Sequence, residues 1–321
     1  MAIVTNKLKR EMVQLLLNNF KDSASNHYFI GIGRSDDWNA TDTAPTAENQ
    51  DVEGRLFRNS LQSVKKVADI SFVVPRYNWS SGTIYSAYND KQVGYPTQSY
   101  YVMNDNNQVY LCIQQPKNNE GVGQPSTVQP SGNTTGTTFI TADDYAWKFL
   151  YSISALDASK YIAANFIPVK KQGATTVQAS DTEQLAVQNA AISGQIIGYS
   201  VDSGGVGYST APTLTISGDG TKAKATATIS GGIITKVEAD DSASTLTLGS
   251  GYTNATVGQS GGSPTKPAKI RPIFASKGGV GSDPRQDLRA NGIMLVVKPD
   301  GEEGSGDFIV GNDFRQVGLI R

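Results

Sequence analysis

One cysteine, Cys112, and one histidine, His27, are all that 321 residues hold of the two side chains most used in metal sites and activated nucleophiles. A lone cysteine excludes an internal disulfide and any cysteine-cluster metal site. Sitting in an alternating apolar run, Cys112 reads as a small buried hydrophobe. Charge is sparse too, at 18% of residues, where typical globular chains carry roughly 25%. The 28 basic and 29 acidic residues nearly cancel to a net charge of −1, so no global field draws in phosphate. Lys7, Lys9 and Arg10 share one helix with acidic and polar neighbours, and Lys65-Lys66 is only a pair; nucleic acid is not an expected partner. No apolar run approaches the roughly 18 residues of a membrane span. Residues 1–6 also lack the basic-then-apolar pattern of a secretion signal. These absences predict a soluble protein made in a reducing compartment, with no membrane partner.

Catalytic chemistry is equally thin. A hydrolase or transferase needs a base within reach of a nucleophile, and His27 has no partner motif; it reads as a residue at the start of a strand. Neither a G-x-S-x-G elbow nor H-E-x-x-H occurs. Asp36-Asp37, Asp143-Asp144, Asp240-Asp241 and Glu302-Glu303 are adjacent pairs, which on a strand face opposite sides and do not form a glycosidase dyad. Gly31-x-Gly33 is followed by Asp36 where a dinucleotide fingerprint needs glycine. Gly204 to Gly207 opens like a calcium nonapeptide but has Ser209 where Asp belongs, and no tandem copies. No catalytic residue, metal ligand, cofactor or small-molecule substrate is assigned.

What the chain does have is small, uncharged and turn-forming. Leu8, Met12, Leu15, Leu16 and Phe20 recur at helical spacing, predicting an amphipathic helix over 5–20 capped by Thr5, with those residues buried. A strand follows over 27–32. A second helix is predicted over about 51–67, burying Leu56, Leu61, Val64 and Val67, and then a strand from Ile70 to Val74 stopped by Pro75. Tyr100–Met103, the Asp105-Asn106-Asn107 turn and Val109–Ile113 predict a hairpin. Residues 118–136 read as a long loop. Such loops are uncommon inside compact domains, so this one is expected to be functional or pinned by a partner. A strand with large aromatics resumes over 143–153.

Residues 194–281 differ from the rest, holding 17 of the 33 glycines and no Trp, His, Cys or Met. Ile196–Val201 leading to Gly205-Val206-Gly207-Tyr208 is echoed by Ile233–Val237 leading to Gly249-Ser250-Gly251-Tyr252. Each copy is followed by a Thr-Lys pair and a β-like run, at a period of about 40 residues. Two copies suit a small inserted β module rather than a solenoid. The expected fold class is therefore α+β, mostly β. It comprises an N-terminal α/β unit (1–82), a sandwich or barrel-like β middle (83–190), the inserted repeat domain (191–275) and returning strands of the main body (276–321). The stop directly after the apolar run 317–320 is read as a sign that the natural chain continues.

Four aromatic-anchored motifs stand out in the first half. They are Phe29-Ile30-Gly31-Ile32-Gly33-Arg34-Ser35 with Trp38; Val73-Val74-Pro75-Arg76 with Trp79; Val109-Tyr110-Leu111-Cys112; and Asp144-Tyr145-Ala146-Trp147-Lys148-Phe149-Leu150-Tyr151. With Ala2-Ile3-Val4-Thr5 and Asp313-Phe314-Arg315-Gln316-Val317, this ordered set resembles the baseplate wedge subunit of T-even-like contractile-tailed phages, the gene-product-eight type. The likeness covers about 1–155 and 285–321. The glycine-rich repeat lies outside that pattern and is similar to modules of marine phage structural proteins.

The resemblance implies a non-enzymatic, homodimeric structural protein of the virion, located in the tail baseplate after assembly in the host cytoplasm. Its implied partners are other wedge proteins, including the subunits that connect fibres. Candidate interface or motif residues are Arg34, Trp38, Arg76, Trp79, Tyr145, Trp147, Phe314 and Arg315. Arg34, Arg76 and Trp79 are expected at tense or interfacial positions, and Trp38 and Trp147 in the core. The six tyrosines between 77 and 101 suit contacts or core equally. The competing reading is a glycan-binding tail or fibre module presenting Tyr208 and Tyr252 as aromatic platforms. A polysaccharide-cleaving enzyme with two distant carboxylates comes third.

Overall fold

A computed structural model describes residues 5–22, 24, 27–34, 50–67, 69–132, 135–175, 178–241, 245–297 and 314–321. In chain order its first elements are α1 (Asn6–Lys21), β1 (Phe29–Gly33), α2 (Gln50–Asn59), β2 (Leu61–Lys66) and β3 (Asp69–Pro75). The middle carries β4 (Tyr101–Met103), β5 (Gln108–Gln114), β6 (Thr138–Ile140), β7 (Ala146–Ser152), α3 (Ala155–Tyr161), β8 (Phe166–Val169) and α4 (Ala179–Asn189). The glycine-rich stretch forms β9 (Ile196–Ser203), β10 (Thr213–Gly218), β11 (Thr221–Ala223), β12 (Ala225–Ser230), β13 (Ile233–Ala239), β14 (Leu248–Ser250), β15 (Ala255–Ser260) and β16 (Lys269–Phe274). Last come α5 (Pro284–Asp287), β17 (Gly292–Val296) and β18 (Gln316–Ile320). The protein is α+β and mostly β, in several sheets, and among the described residues none closes into a barrel. Two compact units emerge, Glu11–Phe72 with Gly292–Arg321, and Met1–Arg10 with Val73–Asn291. The first unit thus ends at Phe72, short of the expected residue 82, and it takes in the returning tail.

In the smaller unit β18, β1 and β2 form an antiparallel sheet, with Gly31 opposite both Gly318 and Val64. Phe57 of α2 seats over the two glycines: a methyl at Gly31 would lie 3.1 Å from its ring, and one at Gly318 would overlap it. The sequence predicted one helix through residue 67, yet the helix stops at Asn59. There the Ser60 hydroxyl donates to Leu56 O (2.9 Å), competing with the backbone ladder. After Ser60, half-buried Leu61, Ser63 and Lys65 alternate with exposed Gln62, Val64 and Lys66, a period of two that only a strand satisfies.

Helix α1 begins as expected, with Leu8 N donating to Thr5 Oγ1 at 3.2 Å. Its orientation is not the expected one. Leu17 is its buried residue, while Leu8, Met12, Leu15 and Leu16 face outward at 40–66% exposure.

The larger unit is built on an open antiparallel sheet in the order β4-β5-β7-β6. Being open, this sheet does not form the barrel-like alternative expected for the middle region. Both faces of its two central strands are covered, so Val109–Ile113 and Ala146–Leu150 are buried without a break. Asn104 Oδ1 accepts from Asn106 N and Gln108 N, each at 3.0 Å. That side-chain turn lets Asn107 enter the left-handed region at φ 55° and closes the predicted hairpin. Tyr85, Tyr110, Tyr145, Trp147 and Phe149 form the heart of the core with Val187 of α4. Tyr145 stacks on Trp147 at 5.4 Å, and Tyr85 meets both edge-on, a geometry favoured by ring quadrupoles.

The repeat module follows a different plan. Strands β10 and β15, which follow Tyr208 and Tyr252, pair with each other across the two copies. Tyr208 plugs into the second copy, where its hydroxyl accepts from Ala268 N (2.8 Å) and donates to Gln259 Oε1 (2.5 Å). Tyr252 plugs into the first, accepting from Ala223 N at 3.4 Å. Gly205 (φ 68°) and Gly249 (φ 65°) hold the matching turns. An added Cβ at either would stand 2.5 Å from a backbone oxygen of the other copy, Lys266 O or Thr221 O. Only glycine fits there. Asp219 adds a further tie, accepting from Thr253 N, Asn254 N and the Thr253 hydroxyl. These bonds, the Thr253 hydroxyl first, hold its carboxyl down at about 2.

Candidate interaction site

The four motifs converge only in part. Trp38 lies outside the described residues. Arg34 sits just past β1 in the left-handed region, φ 59°, a tense position for a residue with a Cβ. Its guanidinium pairs with Glu53 Oε2 at 3.1 Å, and its carbonyl accepts from Arg315 N at 2.9 Å. Phe314 beside it is buried. The Arg34 and Phe314-Arg315 motifs therefore meet at one end of the small sheet, where they lock β18 to β1.

In the larger unit the Trp79 and Tyr145-Trp147 motifs meet through the long loop. Trp79 Nε1 donates to Ser126 Oγ (3.1 Å), and that hydroxyl donates to Asp143 Oδ2 (2.8 Å). Asp143 also accepts from Thr127 N, Val128 N and the Thr141 hydroxyl. Burial alone would raise its carboxyl, but these bonds outweigh that and hold it below the ordinary aspartate value. Tyr145 donates to Gln124 O at 2.6 Å, and desolvation pushes its phenol up to about 12. Arg76 is tied down as well, to Asn78 Oδ1 (2.9 Å) and Ala163 O (3.2 Å). Tyr145 and Trp147 are wholly enclosed and offer no surface to a partner. Among the tyrosines at 77–101, Tyr85, Tyr88, Tyr100 and Tyr101 are buried too.

The start of the loop and the residues leading into it are held by the repeat module. Thr235 Oγ1 donates to Asn119 O at 2.6 Å, Lys236 Nζ to Lys117 O at 3.1 Å, and Ala239 N to Gln114 Oε1 at 3.2 Å. The chain itself therefore holds this loop at Asn119 and Ser126.

One buried polar centre had no signal in the sequence. Asp287, fully enclosed, accepts from the Ser276 hydroxyl and from Gly281 N (2.7 Å). Burial raises its carboxyl to about 7, although those two bonds and Lys148 oppose the rise. Lys148, buried on β7, is shifted down by desolvation. Both groups are thereby pushed toward neutrality. Arg289 lies over the Tyr100 and Tyr88 rings at 4.6 and 5.2 Å and donates to Asn89 O at 2.6 Å. This centre knits α5 to the aromatic core. No substrate reaches it, because Asp287 has no exposed surface.

Elsewhere, chemistry remains sparse. Among the described residues no cluster of His, Cys, Asp and Glu is able to hold a metal, and no helix is long and apolar enough to cross a membrane. Cys112 is fully buried, and burial pushes its thiol up, which makes it a poor nucleophile. Tyr208 and Tyr252 are 4% and 5% exposed. They are plugs, which removes them as the exposed aromatic platforms of the competing reading.

Open apolar surface is concentrated in the smaller unit and on α1. Besides the α1 stripe, Val317 and Leu319 of β18 are 60% and 53% exposed. They stand opposite Ile32 and Ile30 of β1, on the sheet face that alternates with the one under Phe57. Periodicity marked these residues as apolar and assigned the helical set to the core; it carried no sign of which apolar face remains open. No protein-family model matches the chain, and no curated protein matches it significantly.

Proposed function

We propose that this protein is a structural subunit of a contractile phage tail baseplate wedge, a non-enzymatic virion component that dimerises and bridges neighbouring wedge proteins. The observation that carries the reading is the apolar surface left open by the α1 stripe (Met12, Leu15, Leu16) and by the β1–β18 face (Val317, Leu319). Large exposed apolar patches in soluble chains mark contact surfaces, and apolar interface centres ringed by polar residues suit permanent assemblies. The ordered motif set supplies the identity of the assembly. The enclosed aromatic core and the loop held at Asn119 and Ser126 support a body that transmits load without rearranging internally.

Light-scattering mass of the full chain, alone and mixed with the other wedge proteins of the same genome, tests this. A dimer that enters a larger complex is expected, with Leu15→Glu or Val317→Glu blocking assembly at unchanged circular dichroism. A monomer that ignores those proteins overturns the reading.

A further inference from the structure

Outside every motif, a cleft of about 420 Å³ opens within the larger unit where β5 and the loop after it meet β9 and β13 of the repeat module. That volume lies in the range of small-molecule sites. We propose that this cleft binds a neutral saccharide, a mono- or disaccharide held through its hydroxyls. The proposal stands independently of the wedge reading and uses neither Tyr208 nor Tyr252.

The argument rests on which wall groups are already spent. Asn89 Oδ1 accepts from Arg271 Nη2 (3.1 Å) and Lys91 N (3.0 Å), while Gln114 Oε1 accepts from Ala239 N (3.2 Å). Both oxygens are fixed, so each amide keeps its NH2 as a donor. Glu238 pairs through one oxygen with Lys236 at 2.8 Å and keeps the other as an acceptor. Tyr199 lines the cleft as a residue, but its hydroxyl is enclosed and presents no surface there, so it is not counted among the ligand groups.

Amide donors and a carboxylate acceptor, set beside apolar Val201, Val237 and Ile273, complement a ring that presents alternating hydroxyls and C–H faces. An anionic ligand is disfavoured. Lys236 is engaged by Glu238 and Lys117 O, and Arg271 by Asp90 at 2.6 Å; Lys117 lines the cleft but faces it together with the Glu238 carboxylate, and no bidentate arginine is free for an anion.

The test is saturation-transfer NMR and calorimetry on the full chain. The probes are glucose, galactose, mannose, N-acetylglucosamine and their common disaccharides, with inorganic phosphate and AMP as counter-probes. At least one sugar is expected to bind and to shift the methyl resonances of Val201 and Val237 in the unmodified protein. Ser200→Trp, which fills the cleft from its wall, should weaken binding by about tenfold or more. Glu238→Gln should weaken it by about three- to tenfold. The proposal fails if no sugar receives saturation at about 10 mM, if the shifted methyls lie away from the cleft, or if phosphate or AMP binds in preference. The methyl shifts decide the matter even where a variant folds poorly.

Discussion

The aromatic sheet of the larger unit and the repeat module joined to it achieve order by opposite means. Around β5 and β7 the chain fills space with its largest side chains, and Trp147, Tyr145, Tyr110 and Phe149 are enclosed completely. In the module, backbones approach until no Cβ fits, and a single tyrosine per copy plugs the turn of the other. The first plan depends on volume and the second on the absence of volume. Conservative changes should therefore invert in effect between the two regions, since removing atoms damages one and adding them damages the other.

The largest effect is expected from Trp147→Ala. Deleting an enclosed indole leaves a cavity and costs about 3–5 kcal/mol, measurable by urea denaturation. Gly249→Ala, which adds one methyl, should cost about 2–3 kcal/mol, because the new Cβ meets Thr221 O. Gly231 shares the left-handed backbone (φ 58°) but faces open space. Gly231→Ala should cost only about 1 kcal/mol, and equal losses at the two glycines would break the comparison. Tyr208→Phe keeps the plug but removes its two hydrogen bonds, for about 1 kcal/mol.

A pH experiment sharpens the contrast on the body side. The Asp287 carboxyl sits at about 7 when folded, against 3.8 for an ordinary aspartate. The native state therefore holds a proton that the unfolded chain releases. Stability from this group is full below the unfolded value, declines as pH rises from about 4 to about 7, and is flat above that. Asp287→Asn should flatten the pH dependence of the melting temperature over that window while changing little at pH 4. A curve of unchanged slope would remove Asp287 from the account.

Much of the fold was legible in the sequence for local reasons. The Thr5 cap, the Asn104–Gln108 turn and the doubled G-x-G-Tyr steps are short-range chemistry, and each forms as read. What failed depended on neighbours. Leu8, Met12, Leu15 and Leu16 have helical spacing whether or not anything covers them. Residues 61–66 fit a helix until Ser60 ends the turn and β1 supplies a strand to pair with. Helices α3 and α4 gave weaker apolar periodicity and escaped notice. The cleft was beyond reach, because it joins Asn89, Gln114 and Glu238 from three distant segments. Of the candidate site residues, Arg34 and Arg315 meet through their backbones, where Arg315 N donates to Arg34 O at the end of the small sheet; motif spacing alone carried no sign of that pairing.

The reciprocal plugs carry a consequence for how this module changes in number. In an open solenoid each repeat leans only on its neighbour, so a copy can be lost or gained at the end. Here Tyr208 needs Ala268, and Tyr252 needs Ala223. An unequal crossover that deleted one copy would leave a tyrosine without its socket and a socket without its tyrosine. The bonding makes the two copies one unit, and loss of either is expected to unplug the other.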